Sequence, residues 1–165
     1  MKLLPFVIVL LLAFQGIAQK THFYKDSMNH FGLTLPDSVK PVVLNPGDDI
    51  KSQTDPFTIK AYIQKPMVSD SMPDDCYAFV KSQKTKSGVA YRRYDCMEGA
   101  AGHAYYNYLF KIACQNRIIL LKFLNVACNV CTDDQGNPLV YNETISMKWM
   151  MDIVDSLKPD TGKHP

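Results

Sequence analysis

The chain has 165 residues, with 18 Lys and Arg against 16 Asp and Glu, for a net charge of +2 at pH 7. A balance this close to neutral carries no electrostatic footprint for nucleic acid or for an anionic membrane surface. The length suits a single domain with a real core, and no segment after residue 18 is apolar enough to span a bilayer.

The first element is a secretory signal. Lys2 gives a short positive start, and an apolar run from Leu3 to Phe14 follows, interrupted by Pro5. The run falls short of the roughly 20 apolar residues a spanning helix needs. Gly16 and Ala18 place small residues at the −3 and −1 positions of a cleavage site. Residues 1–18 are therefore expected to be removed, leaving Gln19 first and able to cyclise. No cysteine sits at the cleavage site, so a lipid anchor is not expected. The product is expected to be a soluble extracytoplasmic protein, periplasmic or secreted, without stable membrane insertion.

Residues 19–158 are read as one α+β domain, with 159–165 as a mobile tail. Phe31–Pro36 alternates apolar with small or polar residues and stops at proline, which predicts a short strand. Residues 36–56 contain Pro36, Pro41, Pro46, Gly47 and Pro56 and read as a long surface connection. Within it, Val42–Leu44 could pair briefly. Phe57, Ile59, Ala61 and Ile63 then alternate as a second strand.

Ser71, Pro73, Asp74 and Asp75 supply the chemistry of a helix start. Met72, Cys76, Phe79 and Val80 recur at helical spacing, and Lys81 and Lys84 suit a helix end, so a helix is expected over 72–84. Val89–Met97 reads as a strand and residues 98–102 as a loop.

Residues 104–113 and 117–127 are two apolar β runs flanking Gln115 and Asn116. A hairpin there pairs residues whose numbers sum to about 231. One face would carry Tyr106, Tyr108, Phe110, Ile112, Ile119, Leu121 and Phe123. The other would carry Leu109, Ala113, Ile118, Leu120, Leu124 and Val126, interrupted by Lys111 and Lys122. Both faces are largely apolar, so both should be covered.

A polar loop with Asp133, Asp134, Gly136 and Pro138 precedes a closing helix. Asn142 could cap that helix, and Ile145, Trp149, Ile153 and Leu157 mark its buried stripe. Lys158 and Pro159 would end it.

Five cysteines, Cys76, Cys96, Cys114, Cys128 and Cys131, follow the signal. In an exported chain they favour disulfides, and an odd number leaves at least one unpaired in a monomer. A helix 72–84 turning back into the strand 89–97 sets Cys76 beside Cys96. The hairpin register sets Cys128 opposite His103 at the same end, with Cys131 close by, and Cys114 at the opposite end. Two disulfides are expected among Cys76, Cys96, Cys128 and Cys131, preferably Cys76–Cys96 and Cys128–Cys131, with a crossed pairing at that end left open. Cys114 is expected to be a free thiol.

The spacing Cys128-Asn129-Val130-Cys131 also admits a thiol-disulfide oxidoreductase. Such enzymes place the pair at a helix N-terminus, whose dipole lowers the thiol pKa. Here the pair leads into acidic loop residues that disfavour a thiolate, so a structural bridge is the main reading. A zinc site normally needs two close cysteine pairs, and one is present. His22, His30, His103 and His164 show no metal-binding spacing. No catalytic residue, metal or cofactor is expected. Tyr91, Arg92, Arg93 and Tyr94 combine the residue types enriched at binding hot spots and are a candidate partner-binding stretch. Asn142-Glu143-Thr144 is a glycosylation sequon, meaningful in a glycosylating host.

The order of elements resembles the PsbP-like fold family. The matching features are the strand-then-proline start at 31–36, the strand 57–65, the helix 72–84, the meander 89–127, and the ending Ile153-Val154-Asp155-Ser156-Leu157-Lys158. The resemblance implies an α/β/α sandwich, an antiparallel sheet with a helix packed on each face. Its members often serve as accessory or binding domains. No functional residue of the photosystem members carries over, and the cysteines depart from the family pattern. The expected function is thus a soluble exported accessory or protein-binding domain without catalysis, of immunity or inhibitor type, with an extracytoplasmic protein partner.

Overall fold

The structure, a computed structural model, describes residues 20–50, 52–63, 76–100, 103–128 and 147–160, with the backbone alone at 100, 103, 127 and 128. The expected signal segment 1–18, the expected helix start at 71–75, the expected polar loop after Cys128 and the sequon lie outside these residues. The described residues form nine strands and one helix. In chain order they are β1 (Thr21–Asp26), β2 (Phe31–Pro36), β3 (Val42–Leu44), β4 (Phe57–Ile63), β5 (Ala78–Lys84), β6 (Ala90–Ala100), β7 (His103–Cys114), β8 (Arg117–Cys128), α1 (Met147–Ser156) and β9 (Lys158–Pro159).

Two sheets result. A six-stranded sheet runs β3-β4-β8-β7-β6-β5, and a three-stranded sheet runs β1-β2-β9. All neighbours pair antiparallel except β3 with β4. This overturns the expected α/β/α sandwich, because the described residues are mostly β and include one helix rather than one on each face.

Of the expected helix 72–84, residues 78–84 form strand β5. Thr85–Val89 makes a tight turn, with Gly88 at φ +83 where a side chain would strain. Thr85 donates its N–H to Val89 O at 2.9 Å and accepts at Oγ1 from Val89 N at 3.1 Å. That turn delivers residues 78–84 to β6, and a ladder partner overrides the weak local helical spacing. The expected loop 98–102 is also largely ladder, since pairing continues out to Ala100 opposite His103.

The β7–β8 hairpin keeps the summed register of 231 from Cys114↔Arg117 to Tyr108↔Phe123 and then shifts. Beyond a bulge, Tyr105 lies opposite Cys128, so Cys128 does not face His103. The cause is local. Asn107, 1% exposed, accepts the Asn125 N–H at 2.8 Å and donates from Nδ2 to Glu98 Oε2 at 3.1 Å. Asn125 takes φ +52, which asparagine tolerates better than most residues. The extra residues return Val126 to the face of Phe123, opposite to the side expected.

The main core lies on that face. Phe57, Ile59, Phe110, Ile112, Ile119, Leu121 and Phe123 meet Phe31, Leu33 and Leu35 of β2 and Met150, Ile153 and Val154 of α1. Phe57 stacks on Phe123 at 4.7 Å, and Phe110 meets Phe123 edge-on at 5.8 Å. Trp149 is off this stripe and only half-buried, because α1 turns Met150 inward instead. On β2, Gly32 leaves room for the Phe23 ring, which a Cβ there would overlap.

The opposite face holds a smaller core of Ile50, Tyr94, Leu109, Ile118 and Leu120. Part of its cover is the 45–53 loop rather than a helix. Lys122, 3% exposed, donates to Ile50 O at 3.0 Å and Gln53 O at 2.8 Å. Lys60 donates to Asp48 O. The lysines that interrupt the apolar face are thus the anchors of its loop.

Neither the small sheet nor its closure appears in the sequence reading. Asp26 accepts from the Asn29 N–H and carboxamide at 2.9 and 2.8 Å, and His30 at φ +58 completes the β1–β2 turn. Arg117 reaches that turn through Asn29 Oδ1 at 3.2 Å. The start of the expected mobile tail is fixed: Pro159 pairs with Phe31, Asp160 N–H donates to His30 O at 2.7 Å, and Asp160 meets Lys25 at 3.0 Å.

Candidate functional site

Strand β5 is the edge of the large sheet, and six of its seven residues are exposed. Phe79 is 57% and Val80 48% exposed, a large apolar pair on a strand edge. The ladder shifts between Phe79 and Lys81, so Val80 sits in a bulge. The Phe79 ring meets Tyr94 edge-on at 5.8 Å.

The turn geometry also orients the backbone. Thr85 sends its N–H toward the β6 side. Alternation along an antiparallel strand turns Gln83 and Lys81 the same way, and directs the N–H groups of Lys84 and Ser82 outward. Among the described residues, no strand pairs with that outer edge.

The edge is fastened at its start. Cys76 and Cys96 form a disulfide with Cα atoms 5.1 Å apart, closing a separation of 20 residues. Cys96 is buried within β6, so the bridge ties the start of β5 to a buried position on its neighbour. Cys76, Cys96 and Glu98 place donor atoms within 4.8 Å of one another. A metal would need the thiolates, and the disulfide consumes both sulfurs.

The Tyr91–Tyr94 stretch does not form one binding surface. Strand alternation sends Tyr91 and Arg93 to one face and Arg92 and Tyr94 to the other. Tyr91 is 3% and Tyr94 6% exposed. The Tyr91 hydroxyl donates to Gln83 Oε1 at 2.7 Å, and burial, reinforced by Asp155, pushes its pKa up, which keeps it a donor. Arg93 grips Asp95 with two hydrogen bonds and lies 4.7 Å from the Tyr108 ring centroid. The hydrogen bond to Asp95 holds the guanidinium pKa above its usual range, and burial raises that of Tyr108. These side chains brace the edge from behind, and Arg92 is the exposed member of the four.

Cys114 is a free thiol at the opposite end of the hairpin, 2% exposed, with burial raising its pKa. Burial and a raised pKa both make it inert as a nucleophile. For Cys128 the backbone position opposite Tyr105 is described, and Cys131 lies outside the described residues, as does the bridge expected between them.

A cleft of about 630 Å³ runs beside α1, lined by Trp149, Thr34 and several charged side chains. Four of its charges pair with one another, Lys148 with Asp152 at 2.9 Å and Lys86 with Asp155 at 3.7 Å, and Lys158 lines it as well.

Sequence reasoning missed Phe79 and Val80 as surface groups by assigning them to a helix. A signal was present: two strand-compatible runs flank a short turn ending in Ser87-Gly88, the arrangement of a hairpin. Among the described residues, no helix is long and apolar enough to cross a membrane. No protein-family model, no curated protein and no solved structure matches the chain.

Proposed function

We propose that this protein is an exported, non-catalytic binding domain that takes up an extended segment of a partner protein along the outer edge of β5. The observation that carries the reading is that edge, unpaired among the described residues, with Phe79 and Val80 exposed on it. Burying two such side chains favours association by several kcal/mol at about 25 cal/mol per Å² of apolar surface. Outward backbone groups supply the ladder of hydrogen bonds used in strand addition. The Cys76–Cys96 bridge supports the reading twice. It preorganises the edge, which lowers the ordering cost of binding. It also belongs to an oxidising compartment, in keeping with the signal-like N-terminus.

The test is site-specific photocrosslinking in the producing cell, with the crosslinker at Phe79 and, as control, at Met28, which is 80% exposed in the β1–β2 turn. A partner should crosslink from position 79 and not from 28. The Ser82→Pro substitution, which blocks an outward N–H and spares the β6 ladder, should abolish it. Crosslinking from both positions alike, or unchanged in Ser82→Pro, would refute strand addition.

A further inference from the structure

Resting on that reading of β5, we infer that the partner segment is acidic and carries a defined pattern: one apolar residue adjacent to one acidic residue and four positions from a second. Among the described residues, the charge on strand β5 is of one sign. β5 carries Lys81 and Lys84 and no carboxylate. The Lys86 charge of the adjacent turn is met by Asp155 at 3.7 Å, so the charge of the edge rests on Lys81 and Lys84. The nearest described acid on β6, Asp95, is held by Arg93 at 2.6 Å.

Lysines on an edge strand also act as guards against self-pairing. Both roles follow from the same charges, and they point to the same occupant. A second copy would bring its own Lys81 and Lys84 against these, so edge pairing between copies is opposed. A strand bearing carboxylates turns the guards into partners, since opposite charges directly across a ladder attract and like charges repel.

The pattern comes from the rows of the sheet. Across the β5–β6 ladder, Phe79 lies opposite Tyr94, Lys81 opposite Arg93 and Lys84 opposite Ala90. The bulge at Val80 removes one step, so a regular strand meets Phe79, Lys81 and Lys84 at positions spaced as on β6. A strand on the outer edge therefore offers one side chain to Phe79, the next to Lys81 and the fourth after the first to Lys84. The first and last share one face of the sheet, and the middle one lies on the other. An apolar residue at the first place covers the exposed Phe79 ring, and acidic residues at the other two meet the lysines.

The experiment is selection of a phage-displayed library of random linear peptides on the mature, disulfide-bonded protein. An enriched peptide is then made synthetically and titrated by fluorescence polarisation against wild type, Ser82→Pro, Lys84→Pro and the double variant Lys81→Glu/Lys84→Glu. Circular dichroism confirms that each variant folds, and Lys84→Pro replaces Ser82→Pro should the latter fail. Enriched peptides should show the apolar–acidic–acidic spacing, read in either direction. Charge reversal should weaken binding by about tenfold, from two cross-strand pairs turned from attraction to repulsion. Peptides that lose binding in the proline variants but show no acidic enrichment, or tolerate the charge reversal, would overturn the acidic partner while leaving strand addition in place. Peptides that bind the proline variants unchanged, or no enrichment at all, would overturn strand addition itself.

Discussion

Replacing Cys76 by alanine tests how the edge is held. Cys76 is half-exposed while Cys96 is 1% exposed, so the single change removes the crosslink and leaves the packing of Cys96 in place. The bridge closes a separation of 20 residues. In the chain-entropy description, releasing a loop of that size from the unfolded ensemble costs about 3 kcal/mol at room temperature. Urea unfolding followed by circular dichroism should show that loss as a lower midpoint, with a slope no smaller than that of wild type because the uncrosslinked denatured chain is less compact. Hydrogen exchange adds the local view. The described hold on β5 is its ladder to β6, its turn and the bridge, so the Lys81, Gln83 and Thr85 amides should lose protection first. A loss below about 1 kcal/mol, the size of an ordinary surface change, with β5 protection unchanged, would show that the ladder alone holds the edge.

The other predictions concern the two cores. Lys122→Met removes the donor to two carbonyls of the 45–53 loop and should cost about 2–5 kcal/mol in urea unfolding, because each buried acceptor left unpaired costs about 1–3 kcal/mol. Phe123→Ala, beneath Phe57 and Phe110, should cost about 3–5 kcal/mol by the same assay. Trp149→Ala should cost less than Phe123→Ala, since Trp149 is half-buried and off the inward stripe of α1; an equal loss would return it to the core. Cys114 has a folded pKa raised by burial, so its neutral thiol contributes stability that is complete below the unfolded pKa of about 8.5. That contribution is lost as pH rises through the folded pKa, because the unfolded chain ionises first. The stability gap between wild type and Cys114→Ala should therefore shrink from pH 7 toward alkaline pH, as read by urea midpoints.

The β7–β8 hairpin was legible because a period of two over a long run leaves one register that keeps both faces apolar. The same alternation separated the two cores down to individual residues such as Ile112 and Leu109. It failed at Asn107 and Asn125, where a side-chain hydrogen bond adds residues to one strand and reverses Val126. Bulges depend on a partner across the ladder, which periodicity does not register. Lys122 read as an interruption of an apolar face for a similar reason. The carbonyls it serves lie about 70 residues away, on a loop whose path local sequence does not report. In α1, the four-residue spacing marked Trp149 when the helix rotates Met150 inward, because neighbouring spacings fit an amphipathic helix almost equally well.

Residues 78–84 draw the line between the two levels. Their own pattern fits either a helix or a strand, and short apolar stretches rarely discriminate between them. The chain by itself determined the long hairpin, the alternating faces and the compartment-like cysteine content, all properties of near neighbours or of composition. Only the tertiary structure decided that 78–84 forms an edge strand. The ladder offered by β6 and the closure of Cys76 onto Cys96 outweigh a local preference of at most a few tenths of a kcal/mol per residue. The same pairing exposes Phe79 and Val80 on the outer edge, so the candidate site became visible only once the strand had a place in the sheet.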